Sequence, residues 1–533
     1  MLALRKATRK RPPRRMASKP FLSPVGGWVS AANLAAAPAN TAYVLENWYP
    51  TTTGIKMRSG CQKIATGSGT GEPVESLMAY VGSDRKMFAG VDGNIINVTS
   101  PADPDVAPSA DVTGQTSNYY SHINTVNPAG NTYMMVANGT DEIQTYDGSS
   151  WAALVSGASA GQLNGLASNT VDHLNIYRNR IWLTNKTMTV YYLPTDSIAG
   201  TVGDVVLAGV FRRGGYVMFT ATWSLDAGDG LDDKIAFVTT EGEVAVYQGD
   251  PAGSDWSLVG LYDCSPPLGK NAFLKVAGDL LILTEIGLVP LSQIVNKDPA
   301  ALALAAVSRN IQPDWLQEAR ARRSLPWEIV KWTSRNIAYV TCPVTGDESV
   351  TPPIAFAVNL ETGAWSKLTG WNMRCSILSD DWVYFGTNGG KVMQADITGA
   401  DDGELIYYTY VGQMDHLGAV GQYKSVTQAR AIFRTLGEFN PKVSVTTDYS
   451  TTLPNYPSAA SPEAASLWDV GLWDEAQWDA GVVYYTVQTR WVSIGRSGFA
   501  HAPVILMTSG SAAAPSAELV AFDTVYLPGN LVV

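Results

Sequence analysis

A hairpin-like unit recurs seven times along the 533-residue chain, and this recurrence restricts the fold more than any other feature. Each unit has a strand rich in β-branched or aromatic residues, a turn with Gly, Asn or Asp, and a second strand. The units are Asp84–Val98, Tyr133–Trp151, Asn179–Pro194, Asp233–Tyr247, Gly278–Leu291, Arg335–Trp365 and Asp381–Asp396. Successive units start 49, 46, 54, 45, 57 and 46 residues apart, close to the period of about 40–50 residues for a four-stranded propeller blade. We therefore predict an all-β protein with a β-propeller of six or seven blades.

Composition fits this prediction. Charged residues make up 16% of the chain, below the usual share of about 25%, so Ser, Thr, Asn and Gly must supply much of the surface polarity. The 49 glycines and 29 prolines are scattered between short apolar runs, which indicates many tight turns. A blade cannot bury both of its faces alone, so blades must stack against one another around a ring.

The rhythm of the hairpins divides the chain. We place the propeller at 76–400, with a helical insertion at about 298–323, where Ala, Leu, Glu and Arg are frequent. The changed rhythm of 401–533 predicts a separate β-sandwich or barrel. Residues 21–75 would pack on that second domain or close the propeller, and residues 1–20 would form a disordered basic arm.

More detailed predictions concern the helices and the C-terminal strands. Pro313 divides the insertion, which predicts two short helices and no others in the chain. C-terminal strands are predicted near 405–413, 426–434, 442–448, 482–495 and 517–527.

Charge is distributed unevenly. Residues 1–20 contain eight basic residues and no acid, which leaves 29 basic and 48 acidic residues in the rest, a net charge of −19. An acidic body should not grip phosphates by counterion release, although DNA could slide past it. The arm could contact nucleic acid or an acidic partner, or it could be an upstream extension before Met16.

Cysteines and histidines give no sign of a metal site. Cys61, Cys264, Cys342 and Cys375 are far apart, so we expect reduced core residues and neither a zinc ribbon nor a disulfide scaffold. His122, His173, His416 and His501 lack metal-ligand spacing, and we expect ordinary surface or hydrogen-bonded residues.

The sequence also lacks the familiar catalytic and targeting motifs. No Walker-type or GxGxxG sequence occurs, so we expect no catalytic, cofactor-binding or metal residues and no enzyme activity. No apolar run reaches the length of about 18 residues that a membrane span needs, and no secretory signal is visible. We expect a soluble protein made inside a cell.

Two local features could still bind something. The acidic stretch Ser224–Lys234 includes Asp226, Asp229, Asp232 and Asp233, and it could gather a cation such as calcium or be a solvated turn between blades. Residues 467–481 place Trp468, Trp473 and Trp478 each before an Asp, which could form a sugar platform, but a packed aromatic ladder or subunit contact is favoured.

Several turns lead into tryptophan. Trp151, Trp256 and Trp365 each follow a turn, and we expect them to wedge between neighbouring blades. The turn at Asp147 is similar to the Asp-box of sialidase propellers, but its Gly directly after Asp departs from that pattern. A glycosidase would need two carboxylates across a pocket, and no such pair can be chosen from the sequence.

The chain resembles the tail nozzle, or distal tail tube, proteins of short-tailed bacteriophages and related prophage tail proteins. Matching segments are Gly26-Gly27-Trp28, Leu45–Pro50 (LENWYP), Gly54–Gly60 (GIKMRSG), Gly228–Gly249, Pro266-Pro267-Leu268-Gly269, Leu280–Leu291 with the Ala-rich helix after it, and the Trp-Asp pentapeptides. Together they span most of the chain.

The resemblance implies a structural virion protein in the phage tail, made in the host cytoplasm. It implies a homohexameric ring below the portal and the tail adaptor (head-to-tail connector), together with tail fibres or spikes. Genomic DNA would be retained and then pass through the channel without sequence-specific binding, and no cofactor would be needed.

Two other functions remain open. A receptor-binding or glycan-processing propeller of a phage tail would use the Trp-Asp repeats and the Asp147 turn. A cellular scaffold propeller is disfavoured by the extra C-terminal domain.

Overall fold

The computed structural model describes residues 15–31, 37–224, 233–276, 278–344, 351–436, 440–459, 486–510 and 516–531. The N-terminal part contributes five strands to three different sheets. They are β1 (Ala17–Leu22), β2 (Ala42–Glu46), β3 (Trp48–Pro50), β4 (Ile55–Met57) and β5 (Gly60–Thr66).

The first four blades are antiparallel four-stranded sheets. Blade 1 contains β6 (Val74–Val81), β7 (Arg85–Val91), β8 (Asn94–Asn97) and β9 (Ala110–Val112), and blade 2 contains β10 (Ser121–Val126), β11 (Thr132–Ala137), β12 (Ile143–Tyr146) and β13 (Trp151–Leu154). Blade 3 contains β15 (His173–Tyr177), β16 (Arg180–Thr184), β17 (Thr189–Tyr192) and β19 (Gly203–Val206), with β14 (Leu163–Asn164) and β18 (Gly200–Thr201) as a small parallel pair beside it. Blade 4 contains β20 (Val217–Trp223), β21 (Lys234–Thr239), β22 (Glu243–Gln248) and β23 (Ser257–Asp263).

Three further blades complete the ring. Blade 5 has three strands, β24 (Phe273–Val276), β25 (Asp279–Thr284) and β26 (Gly287–Pro290). Blade 6 contains β27 (Glu328–Trp332), β28 (Ile337–Cys342), β29 (Ile354–Asn359) and β30 (Trp365–Thr369). Blade 7 contains β31 (Met373–Ser379), β32 (Trp382–Thr387) and β33 (Lys391–Thr398), and β5 from the N-terminal part adds its outer strand.

The described sheets therefore form a seven-bladed propeller, and the hairpin period had predicted six or seven blades. The first strand of each blade contacts the first strand of the next, in blades 4 and 5 through the stacked rings of Phe219 and Phe273, and β31 of blade 7 contacts β6 of blade 1, which closes the ring. Six of the seven predicted hairpins correspond to the two central strands of a four-stranded blade, and Gly278–Leu291 corresponds to the central strand and one edge strand of blade 5. Central strands are buried on both faces, which is why their apolar pattern was the most visible.

The helical part is larger than predicted. It contains α1 (Leu291–Asn296), α2 (Leu302–Ala305) and α3 (Gln312–Ala321), with 3-10 turns at Pro299–Ala301 and Val307–Ile311. The prediction that helices occur only in 298–323 is wrong, because α1 follows β26 directly. Pro313 does not interrupt a helix but lies in the first turn of α3, where its missing N–H is not needed. Among the described residues, no helix is both long and apolar enough to cross a membrane.

The C-terminal strands form the additional β-domain. They are β34 (Ile406–Gly412), β35 (Gln422–Leu436), β36 (Lys442–Thr447), β37 (Thr486–Thr489), β38 (Val492–Gly498), β39 (His501–Ser509) and β40 (Ser516–Leu531). One sheet joins β35 and β40 with β1, β3, β4, β37 and β38, and the other joins β2, β34, β39 and β36. Apolar side chains from both sheets share one core, so the domain is a sandwich.

Strand β39 was not predicted. Pro503 lies inside it, and a proline within an apolar run normally argues against a central strand. Here β39 pairs with β34 on one side and β36 on the other. Gly412 on the neighbouring strand makes room for the proline ring, since a Cβ atom at Gly412 would lie 2.6 Å from Pro503 Cγ.

Sandwich and propeller share a sheet. Glu46 of β2 pairs with Lys367 of β30, so blade 6 continues into the second sheet of the sandwich as one eight-stranded sheet. Gly27 packs against the backbone of Trp365, with a positive φ of 73° and no space for a side chain. Trp28 N–H then donates to the Trp365 carbonyl over 2.7 Å. The Gly-Gly-Trp motif therefore helps to join the two domains.

Two of the three turn tryptophans lie between blades as predicted. Trp151 of blade 2 packs on Phe88 of blade 1, and Trp256 of blade 4 stacks on Trp182 of blade 3. Trp365 instead packs on Trp315 of α3, and its indole N–H donates to the Val307 carbonyl. For Trp365 the predicted position is wrong, because the helical insertion covers this part of blade 6.

The four cysteines are buried and free of disulfides, as predicted. Burial raises the pKa of Cys264 to about 12, which leaves the thiol protonated and unreactive at neutral pH.

Candidate functional site

The innermost strands bring polar side chains to one end of the propeller axis. Every blade starts with its innermost strand, so the residues that lead into these strands gather at the same end of the ring. Ser76, Ser121, His173 and Glu328 lie there, and all four are more than 90% buried. Sequence reasoning singled out only His173, because the predicted hairpins began one strand later.

These side chains connect each blade to the next. Ser76 Oγ accepts from the Tyr120 amide (2.7 Å), Ser121 Oγ from the Leu174 amide (3.2 Å) and His173 Nδ1 from the Thr220 amide (3.5 Å). Glu328 Oε2 accepts from the Ser376 amide over 3.1 Å. Four of the seven blade boundaries thus use the same type of contact, a polar side chain at the start of one inner strand that binds a backbone amide of the following blade.

Lys270 crosses the axis. It precedes blade 5, yet its Nζ donates to the Tyr119 carbonyl (2.9 Å) at blade 2 and to the Asp172 Oδ1 (3.0 Å) at blade 3. The ammonium also lies 4.6 Å from the centroid of the Tyr119 ring. Because blade 5 is a neighbour of neither blade, this buried ion pair bridges one mouth of the propeller.

Asn271 makes a second bridge. Its Nδ2 donates to the Tyr120 carbonyl of the opposite side and to Glu328 Oε1, both over 3.1 Å. Burial raises the pKa of Glu328, although the bonds from Asn271 and Ser376 act in the opposite direction. A repeat-aligned search for Ser, His or Glu at the start of inner strands could have found this set.

The two histidines at the axis are neutral at pH 7. Burial lowers the pKa of His122 to about 4, and burial together with the Lys270 charge lowers that of His173 to about 3. Because His173 Nδ1 accepts a hydrogen bond, its proton is on Nε2. These residues therefore offer dipoles and not charges to the interior of the ring.

Between the inner strands lies a cavity of about 250 Å³, which we call the axial cavity. Its polar lining includes Ser76, Ser121, His122, His173, Asn271 and Glu328, and its apolar lining includes Leu77, Leu174 and Phe273. Since Lys270 bridges one mouth, a ligand would enter from the opposite face.

Most other candidate site residues do not join this cluster. Asp226, Asp229 and Asp232 lie outside the described residues, as do Trp468, Trp473, Trp478 and the arm up to residue 14. Asp233 is buried, and its backbone carbonyl accepts from the Tyr177 hydroxyl. In the parts of the chain that the structure describes, no three His, Cys, Asp or Glu side chains are placed to hold a metal ion.

The remaining histidines lie in the sandwich. His501 is fully buried in the sandwich and is not a surface residue. Its backbone pairs with Asp415 and Thr447, and this pairing fixes the ring in the interior. Burial lowers its pKa.

The Asp147 carboxylate accepts hydrogen bonds from backbone amides of its own turn. Asp147 Oδ1 accepts from the amides of Ser149 (2.8 Å) and Ser150 (2.7 Å), and these bonds lower its pKa to about 2. This is the role of an Asp that shapes a turn.

A buried polar cluster lies where the sandwich meets the propeller, and we call it the junction network: Asn47, Arg58, Thr369, Trp371 and Asp401. Arg58 is fully buried and binds Asp401 through two bonds of 2.6 and 2.9 Å. Its Nε donates to Asn47 Oδ1 over 2.8 Å, and its guanidinium lies over the Trp371 ring. Asn47 in turn donates to Thr369 and to the Tyr407 carbonyl of β34. The network ties the sandwich to blades 6 and 7.

Comparison with known proteins finds distant structural similarity and no family. No protein-family model and no curated protein matches the chain. Similar solved structures include the WD40 β-propeller domain of Doa1 (11% identity, 63% of this chain and 97% of that chain, TM-score 0.38) and the computationally designed Ika8 protein (12%, 63% and 100%, 0.34). Both scores are low, so the assignment as a seven-bladed propeller with an appended sandwich depends on the sheet pairing described above.

Proposed function

We propose that the chain is a nozzle subunit of a short-tailed phage, a structural protein whose copies form a ring through which DNA is retained and then released. The observation that carries this proposal is the junction network. The family-like segments around Asn47 and Arg58 fold into it, so the resemblance falls on residues that fix propeller and sandwich in one orientation. A subunit of a channel wall needs such fixed geometry.

The sandwich offers an extended wall. Strands β35 and β40 pair along 13 positions and contain 15 and 16 residues, where about 5–6 is usual. At about 3.3 Å per residue, the pair is about 50 Å long.

The residues at the propeller axis favour a DNA channel between copies of the chain over a channel through one subunit. Lys270 and Asn271 bridge the ring interior, so a DNA duplex would not pass along the axis of one subunit. The net charge of −19 outside residues 1–20 would keep a passing DNA backbone from being trapped. Homohexamer, adaptor contact and fibre or spike contact remain parts of the same proposal.

A cryo-EM map of the particle that encodes this chain tests the proposal. We expect six copies around an axial channel at the tail, and particles without the protein should lose packaged DNA or fail to eject it. Peripheral copies that point away from the axis would contradict the nozzle function and favour a receptor-binding or glycan-processing propeller. Turnover of a capsular or cell-wall glycan by the purified chain would do the same.

A further inference from the structure

We propose that the axial cavity binds a small, neutral, polyhydroxylated molecule of about monosaccharide size. The inference does not depend on the nozzle function. It starts from side chains that are deeply buried, line the cavity and keep unused hydrogen-bonding capacity.

The unused donors come from three residues. The hydroxyl oxygens of Ser76 and Ser121 each accept a hydrogen bond from one backbone amide. Among the described residues, neither hydroxyl group donates its own hydrogen to an acceptor. The Nε2–H of His173 has no partner in the described chain either, since its single bond is at Nδ1. Each of these side chains is at most 3% exposed, so solvent contact outside the cavity is minimal.

The unused acceptors lie beside them. Each Glu328 carboxyl oxygen accepts one bond, from Asn271 or from the Ser376 amide, and retains a second lone pair. Asn271 also lines the cavity. Donors and acceptors at short range suit hydroxyl groups, which can both give and accept.

The charges favour a neutral ligand. Lys270 is already paired with Asp172, and His122 and His173 are uncharged at pH 7 for the reasons given above. A cationic ligand would find a single, partly satisfied carboxyl group, and an anionic ligand would find no free cation in the lining.

The volume and the apolar lining of the axial cavity restrict the class of ligand further. About 250 Å³ is below the range of about 300–1,000 Å³ typical of drug-sized sites. Leu77, Leu174 and Phe273 provide apolar surface for C–H groups. A single sugar ring has this combination of a hydroxyl rim and an apolar face.

The test uses the full chain and isothermal titration calorimetry with D-glucose, D-galactose, N-acetyl-D-glucosamine and glycerol, and with acetate and methylammonium as charged probes. We expect at least one neutral probe to bind with a Kd of about 1 mM or tighter and the charged probes not to bind. Absence of saturable binding by every neutral probe, which would mean a cavity filled with water only, overturns the proposal. So does preferential binding of a charged probe.

A variant and its matched control test whether the ligand binds in the axial cavity. His122→Phe fills part of it and removes a ring N–H, and we expect a loss of affinity of at least about tenfold, or 1.4 kcal/mol. His122 has no hydrogen bond to another described residue, so the fold should survive. The matched control is His416→Phe in the sandwich, which should bind as the parent does. Equal affinity in parent and His122→Phe would contradict the proposal.

Hydrogen exchange gives a readout that needs no variant. Bound ligand should slow hydrogen exchange of the Tyr120 and Leu174 amides, because these amides donate hydrogen bonds to Ser76 and Ser121. Unchanged exchange there during saturable binding would place the ligand elsewhere and overturn the assignment.

Discussion

The bonds between blades and the bonds of the junction network differ in how far apart the bonded residues lie along the sequence. The four inner-strand bonds between adjacent blades join residues 44 to 53 positions apart. In the junction network, Arg58 binds Asp401 across 343 positions, and Tyr408 binds the Arg58 carbonyl across 350. Apart from β5 in blade 7 and the bridges from Lys270 and Asn271, the propeller is thus assembled from neighbours in sequence, whereas the junction joins the beginning of the chain to its last third.

This difference predicts different responses to damage. Each of the four inner-strand bonds lies within a larger contact between two blades that includes apolar side chains, so its loss should be local. The junction network contains a buried ion pair, and removal of one partner leaves an uncompensated buried charge.

The largest effect is expected for Arg58→Ala. It leaves the Asp401 carboxylate buried beside Trp371, and we expect a loss of about 3–5 kcal/mol in the free energy of unfolding, measured by denaturant titration. The matched control is Arg85→Ala, since the pair of Arg85 and Asp380 is more than half exposed and should contribute about 0–1 kcal/mol.

A double variant sharpens this test. Replacing both charges, as in Arg58→Met with Asp401→Leu, removes the unpaired charge and should recover most of the lost stability. If the double variant is as unstable as Arg58→Ala, packing around Trp371 and not burial of charge explains the loss.

The same contrast explains what the sequence could predict. The hairpins were visible because each is local and its buried strands are apolar, and their period led to the propeller. Arg58, Asp401 and Lys270 were not recognised, because a lone charged residue in sequence does not reveal a partner more than 90 positions away. Strand β39 was missed because its proline is accommodated by a glycine on another strand, which is also a long-range relation.

An intermediate effect is expected at the axis. Lys270→Met removes the bridge from blade 5 to blades 2 and 3 and leaves Asp172 with Lys186 at 3.5 Å. We expect a loss of about 2–3 kcal/mol and faster hydrogen exchange at the inner strands of blades 2, 3 and 5. Lys186→Met is the control, because Lys186 is 44% exposed and should contribute at most about 1 kcal/mol. Equal losses in the two variants would contradict a bridging role for Lys270.

Histidine burial makes the stability of the propeller depend on pH. The pKa values of His122 and His173 are lowered in the folded chain to about 4 and about 3, so only the unfolded chain binds these protons just below pH 6.5. Stability is therefore complete above about pH 6.5 and falls as the pH drops toward 4, by at most about 1.4 kcal/mol per pH unit for each histidine.

Comparison of the parent with His122→Phe isolates one of these protons. Glu328, whose pKa is raised, acts in the opposite direction, because its contribution is present at low pH and lost as the pH rises. It is common to both proteins and cancels in their difference. The variant should lose less stability than the parent between about pH 6.5 and 4.5, by up to 1.4 kcal/mol per pH unit. Parallel pH profiles would show that His122 is solvated.

The smallest effect is expected at the edge of blade 2, where the Asp147 turn depends on bonds to its own amides. Asp147→Ala should cost about 0.5–1 kcal/mol, and Asp147→Asn, which keeps an acceptor oxygen, should cost less. Because the pKa of Asp147 is lowered in the folded chain, the stabilisation by its carboxylate is present above the unfolded pKa of about 3.8 and is lost as the pH falls toward 2. The difference in stability between parent and variant should therefore shrink in acid.

Substitution of Asp147 also separates the two functions considered for the propeller. A turn that only shapes the blade leaves ring assembly and glycan turnover unchanged, whereas loss of a glycan-processing activity on Asp147→Asn would show that the carboxylate acts on a substrate.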